Sequence, residues 1–165
     1  MRKIDKKTQI KIFNIILIVI WMITVFMFSG QKGEDSGNTS GRFTELIIRV
    51  LTGKSVDTND STIQMIETII RKLAHYTIYT IGGFLIMNYA YTTDKSLKEK
   101  ILYSICFGGG YAITDELHQF LVPDRSARIF DVGIDTLGVI TGVCIYVLFR
   151  KVLQIVIRKY KVKKV

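Results

Sequence analysis

The stretch ILYSICFGGGYAITDELHQFLVPDR, Ile101 to Arg125, decides how this chain is read. Its first half is apolar and glycine-rich. Its second half sets Asp115, Glu116, His118 and Gln119 close together ahead of Pro123, the single proline of the sequence. A run of this kind matches the ~20 helical residues needed to cross a hydrocarbon core of roughly 30 Å. The carboxylates and the imidazole at its end then require a reason to be there.

Working outward, residues 12–28, 72–91, 101–121 and 129–149 all read as spans. The expected fold is all-α, a four-helix transmembrane bundle forming a single domain over 1–165. Of the 165 residues 22% are charged, yet the mean hydropathy is positive, so charge and apolarity are segregated along the chain. The net charge of +9 gathers at the two ends. Arg2, Lys3, Lys6, Lys7 and Lys11 stand against Asp5, and the tail after Phe149 carries Arg150, Lys151, Arg158, Lys159, Lys161, Lys163 and Lys164 with no acid. By the positive-inside rule both termini are cytoplasmic, the segment 29–70 is outside, and the loop with Lys95, Lys98 and Lys100 returns to the cytoplasm. The expectation is a multi-pass protein of the cell membrane. Basic ends of this kind suit anionic inner-leaflet lipid, and no nucleic-acid partner is expected. The first run is longer than a typical signal-peptide core and no clear small-x-small site follows it, so it reads as an uncleaved helix. Cys106 and Cys144 fall at similar depth on antiparallel spans, where a contact between them is open, and read first as small apolar fillers.

Between the first two spans, SGQKGEDSGNTSG (Ser29–Gly41) is too polar and glycine-rich for regular structure. RFTELIIRVL then places Phe43, Leu46, Ile47 and Val50 on one face, a short amphipathic helix for the outer membrane surface. STIQ, Ser61 to Gln64, has capping-box form and starts a helix at Thr62 that runs unbroken into the second span.

At 100° per residue the polar groups of the spans align. Arg71, His75 and Gly82 form one stripe on the second span, and Gly108, Tyr111, Asp115, His118 and Gln119 share a face of the third. Arg128, Asp131, Asp135, Gly138 and Gly142 share a face of the fourth, and Gly138-x-x-x-Gly142 has the spacing that allows close helix approach. Glu116 is rotated away from Asp115, toward Arg125 or Arg128. With the topology above, these groups converge on the outer third of the membrane and leave the cytoplasmic half of each helix apolar. A charged group costs about 2.5–3.5 kcal/mol at a helix centre on insertion scales, so they should face inward and be paired.

His75, Asp115 and His118 are the candidate catalytic residues, since an imidazole beside carboxylates serves as a general base. Arg71, Lys72, Glu116, Gln119, Arg125, Asp131 and Asp135 are candidates for binding; arginines hold phosphate or carboxylate bidentately. Hydrolysis or transfer at a lipid or sugar phosphate fits this set. No metal is assigned: Glu116 and His118 are too close for the i, i+4 pair of an H-E-x-x-H helix, although His75, Asp115, His118 and Asp131 could converge in space. No G-x-S-x-G elbow marks a serine nucleophile. The plainer reading is a lock, with Arg71, Lys72, Arg125 and Arg128 set against Asp115, Glu116, Asp131 and Asp135. Ion pairs alone would not call for the 2 histidines of the chain in the same layer, which favours a polar cleft open to the outer face.

FSGQ with the following Ser36, RKLAHY at Arg71–Tyr76, DELHQFLVPDR at Asp115–Arg125 and DVGIDTLGVITG at Asp131–Gly142 together resemble the VanZ-like family, in its order and spacing over nearly the whole chain. The resemblance implies a small polytopic membrane protein, in a family whose named member is associated with resistance to the glycopeptide teicoplanin. It adds Ser29 and Gln31 to the binding candidates and carries over no catalytic residue. The expected partners are membrane lipid and a lipid-linked cell-wall precursor or glycopeptide-related ligand; the sequence names no cofactor and no oligomeric state. Two alternatives stay open, a small proton-coupled carrier or channel and a structural partner protein locked by ion pairs.

Overall fold

In the computed structural model, which describes residues 5–30, 41–50 apart from 43 and 47, 61–123 and 128–162, the chain is built of helices. Four are long: α1 (Lys6–Ser29), α2 (Ser61–Ala90), α3 (Leu97–Phe120) and α4 (Ile129–Val162). Helical residues within 41–50 precede α2, and no strand occurs among the described residues. The expected all-α class is the observed one. In the short segment Thr44 is buried while Leu46 and Val50 are exposed; Phe43 and Ile47 lie outside the described side chains.

The helix starts follow from local chemistry. Asp5 caps α1 by accepting the Thr8 amide at 3.1 Å. Ser96 and Glu99 form a reciprocal capping box on α3, in which the Ser96 amide donates to Glu99 Oε2 at 2.8 Å and the Glu99 amide donates to Ser96 Oγ at 3.3 Å. α2 begins at Ser61, one residue before the expected Thr62, and no bond joins Ser61 to Gln64 among the described residues. No proline interrupts it, and it runs without a break to Ala90. α4 continues well past Phe149: its 34 residues carry the basic stretch to Val162 as helix rather than as a separate tail. At 1.5 Å per residue it is about 51 Å long, more than a bilayer core requires.

α1 and the part of α4 over Ile129–Tyr160 are long and apolar enough to cross a membrane. α2 and α3 have the length but not the apolarity, because Arg71, Lys72 and His75 dilute one, and Asp115, Glu116, His118 and Gln119 the other. On composition, two of the four expected spans meet this measure. The outward faces of α2 and α3 are nonetheless apolar, with Leu73, Ile81, Leu102, Phe107, Ile113 and Leu117 all exposed.

Glycine sets the packing. A Cβ on Gly142 would stand 2.0 Å from the Thr80 carbonyl oxygen, one on Gly138 2.5 Å from the Tyr76 carbonyl oxygen, and one on Gly83 2.2 Å from the Val139 carbonyl oxygen. α2 and α4 are therefore in backbone contact, the close approach that the Gly138-x-x-x-Gly142 spacing implies. α1 docks through Trp21, which covers Gly82 and donates from Nε1 to the Ile78 carbonyl at 2.9 Å. α3 is tied to α1 where the Tyr111 hydroxyl donates to the Met22 carbonyl at 2.6 Å. Tyr79, Ile86, Met87, Val139 and Val143 fill the centre.

The half of the bundle expected to be wholly apolar contains a polar network. Asn88 Nδ2 donates to Asn14 Oδ1 at 2.9 Å, and the Tyr146 hydroxyl donates to Asn88 Oδ1 at 2.9 Å. Asn14 is buried, and the first of these bonds satisfies its Oδ1 where lipid offers no partner. Cys106 and Cys144 are free and exposed, so neither serves as a buried filler.

Candidate functional site

α2, α3 and α4 bring polar side chains together at the end of the bundle where α1 finishes. His75 on α2, Asp115 on α3 and Asp135 on α4 place one donor atom each within 4.8 Å of one another. His75 Nδ1 lies 3.8 Å from Asp135 Oδ2. Asp115 and Asp135 are only 3% and 1% exposed, and neither has a lysine or arginine partner among the described residues. Helical periodicity accounts for the meeting: Asp135 precedes Gly138 by one turn, so the backbone contact that Gly138 makes with α2 draws Asp135 toward His75.

A supporting chain holds Asp115. Gln119 Nε2 donates to Asp115 Oδ2 at 3.2 Å and to Ser29 Oγ at 3.4 Å, linking the end of α1 to the cluster. Asp115 Oδ1 is left buried and without a hydrogen-bond partner. Tyr79, one turn beyond His75 on α2, has a buried, unpartnered hydroxyl in the field of Asp115 and Asp135. Sequence reading missed Tyr79, although its i+4 spacing from His75 placed it on the same stripe.

Other candidates are placed differently. Lys72 pairs with Asp131 at 2.5 Å and lies 5.0 Å from the centre of the Phe130 ring. Glu116 accepts the backbone amide of Arg128, so it serves that neighbour through its N–H and caps the entry to α4. Arg71 is exposed and forms no ion pair among the described residues. His118 does not join His75: its ring stacks on Phe26 of α1 at 4.1 Å, and its Nδ1 is buried without a partner. The rotation of about 60° between positions 115 and 118 carries it to the α1 side. Gln31 and Arg125 lie outside the described residues. The expected network of four bases and four acids thus yields one Lys–Asp pair among the described residues, while the two most buried carboxylates face a histidine instead.

Chemically, the cluster offers a neutral or charged imidazole, two carboxylates and a phenol, on rigid helices rather than loops. Such a set can move a proton, hold a cation or orient a polar head group. No curated protein and no solved structure matches this chain. Residues 13–150, a stretch containing every described residue of the cluster, match the family VanZ/LLP1. With two helices of spanning length and apolarity and a family match over most of its sequence, this is a membrane protein of the VanZ/LLP1 family.

Proposed function

We propose that the chain crosses the bacterial cell membrane four times, with both ends cytoplasmic, and uses the His75–Asp115–Asp135 cleft at the outer leaflet to bind or transform a lipid-linked cell-wall precursor. The single observation that carries the reading is the convergence of these three groups from three helices. Exposed apolar side chains on α2 and α3 support two further spans, because such faces are stable against lipid and costly against water. The basic residues at both ends and in the α2–α3 loop support the orientation. Lys72, half-buried beside Asp131, and the exposed Arg71 stand where an anionic head group would arrive. The resemblance to the VanZ-like family, whose named member is associated with teicoplanin resistance, supports a ligand on the outer side, where a glycopeptide meets its target.

The test is direct binding of a lipid-linked disaccharide-pentapeptide precursor to the protein in nanodiscs, alongside teicoplanin susceptibility of cells expressing it. The unmodified protein should retain the precursor and raise the tolerated teicoplanin concentration; Asp115→Asn and His75→Gln should lose both while inserting normally. If both variants behave as the unmodified protein does, the cleft is not the functional site.

A second reading, a proton-coupled carrier, draws on the Asn14–Asn88–Tyr146 network toward the opposite end. Tyr79, Met87, Val139 and Val143 fill the space between the two polar regions, which favours a site open to one face. Protein in liposomes that carries no proton or solute flux would dispose of the carrier.

A further inference from the structure

The geometry points to a divalent transition-metal site of the Zn2+ class formed by His75, Asp115 and Asp135. The inference deepens the proposed reading of this cleft and rests on that cleft being the functional one. It starts from charge. Two carboxylates at 3% and 1% exposure sit together with no lysine or arginine beside either of them among the described residues. Burying unpaired charge of this kind is strongly unfavourable, and a protonated His75 would offset half of it at most. A divalent cation neutralises both carboxylates while the imidazole stays neutral.

The donor set and its spacing agree. One nitrogen and two carboxylate oxygens are ligands for Zn2+ or Mn2+, and three protein ligands with an open fourth position is the arrangement of catalytic rather than structural zinc. Tetrahedral donors at the usual ~2.0–2.2 Å stand about 3.4 Å apart. Here the three donors already lie within 4.8 Å, a gap that side-chain rotation on fixed helices can close. The second, independent observation is the bare oxygen. Gln119 fixes Asp115 through Oδ2, yet Oδ1 is buried with no hydrogen bond of its own, and the nearby Tyr79 hydroxyl is equally unsatisfied. Orientation of a ligating carboxylate by an outer hydrogen bond is how metal sites are built, and the Gln119–Ser29 link supplies it.

The neighbouring acids and the other histidine are otherwise engaged. Asp131 is committed to Lys72, Glu116 to the Arg128 amide, and His118 is stacked on Phe26. The sequence pattern had suggested His118 and Asp131 as possible companions of His75 and Asp115; the structure replaces them with Asp135.

The experiment uses tag-free, full-length protein in detergent, stripped with a chelator and then loaded with Zn2+ alone, with no lipid ligand present. One Zn2+ should be retained per chain, in competition with a chromophoric chelator. Asp115→Asn and Asp135→Asn, which preserve side-chain size, should weaken binding beyond the ~10–100-fold that loss of an outer-shell partner costs. Asp94→Asn and Glu99→Gln, exposed carboxylates at the far end, should bind as the unmodified protein does. Cu2+ loaded into the unmodified protein should show the nitrogen modulation of a coordinated imidazole in pulsed EPR, and this should persist in His118→Gln and vanish in His75→Gln. Because that spectrum is taken on the native chain, poor folding of an aspartate variant leaves the decision intact. Absence of stoichiometric Zn2+ and of the imidazole signal, or full affinity in both Asn variants, would overturn the site. Precursor binding by a protein that retains no Zn2+ would sink the metal and spare the cleft; metal binding without precursor binding would do the reverse.

Discussion

Gly142 of α4 rests on the Thr80 carbonyl of α2, so close that a Cβ at position 142 would fall 2.0 Å from that oxygen. The obstacle is backbone on both sides and cannot swing away. Gly142→Ala and Gly83→Ala should therefore force α2 and α4 apart and destabilise the bundle by at least the ~1–3 kcal/mol of an overpacked core. Gly110→Ala and Gly133→Ala meet nothing within 4 Å and supply the control. They should be neutral or stabilising by up to about 1 kcal/mol, through the helix preference of alanine. Thermal unfolding in detergent, followed by the far-UV helical signal, separates the two pairs.

The glycine contact was legible because a small-residue period on an apolar helix has few other meanings. The cleft was legible in outline for a similar reason: polar side chains in a run built for lipid must face inward, and periodicity says which share a face. What periodicity does not fix is rotation about each helix axis. Asp115 and His118 are separated by only about 60°, so both fitted one face on paper. The actual rotation is set by Tyr111 reaching the Met22 carbonyl and by Trp21 closing over Gly82, contacts between residues 89 or more than 50 positions apart that no local pattern reports. The same holds for Asn14, Asn88 and Tyr146, whose isolated polar atoms looked unremarkable within apolar runs. The Ser96–Glu99 box, by contrast, is written in the sequence as S-x-x-E, and it closes where the S-x-x-Q at Ser61 shows no bond among the described residues.

That network at the opposite end carries its own expectation. Asn88 bridges two helices, donating to Asn14 and accepting from Tyr146. Asn88→Leu removes two bonds and leaves both partners stranded, so at ~0.6–1.7 kcal/mol for each bond between membrane helices the loss should be about 1–3 kcal/mol. Tyr146→Phe should cost less, and its effect should largely disappear in the Asn88→Leu background. A double-mutant cycle in detergent measures this; full additivity would show that the Tyr146–Asn88 bond contributes nothing to stability.

Acidity reaches the fold through the start of α3. The Ser96 hydroxyl and amide both donate to the Glu99 carboxylate, and these bonds hold its pKa below the ordinary glutamate value. A carboxyl lowered in the folded state stabilises the fold above its unfolded pKa, and that contribution fades as pH falls through the folded value. Hydrogen exchange at the first turn of α3 should thus accelerate, after correction for intrinsic rates, on going from neutral to strongly acidic solution. Glu99→Gln should exchange faster at neutral pH and show a flatter dependence. Equal protection in the two proteins at neutral pH would mean that the box does not hold the helix start.

Arg71 and Lys72 are neighbours in sequence with opposite circumstances, which lets the ion-pair lock be tested against the cleft. Lys72 meets Asp131 with both side chains about one-third exposed, 29% and 31%. Partial exposure screens the pair, so its coupling in a Lys72→Ala, Asp131→Asn cycle should not exceed ~1 kcal/mol. The swap of Lys72→Asp with Asp131→Lys should recover most of the stability lost in either single change. Arg71 is exposed and unpaired among the described residues, whereas Asp115 is buried beneath Gln119. Arg71→Ala should accordingly change stability by less than about 0.5 kcal/mol, as surface substitutions do. Exchanging Arg71→Asp with Asp115→Arg should rescue nothing, because it would bury a guanidinium beside His75 and leave the new aspartate in solvent. Recovery of fold and function by that second exchange would instead make the cluster a lock, and the cleft would lose its claim to a ligand.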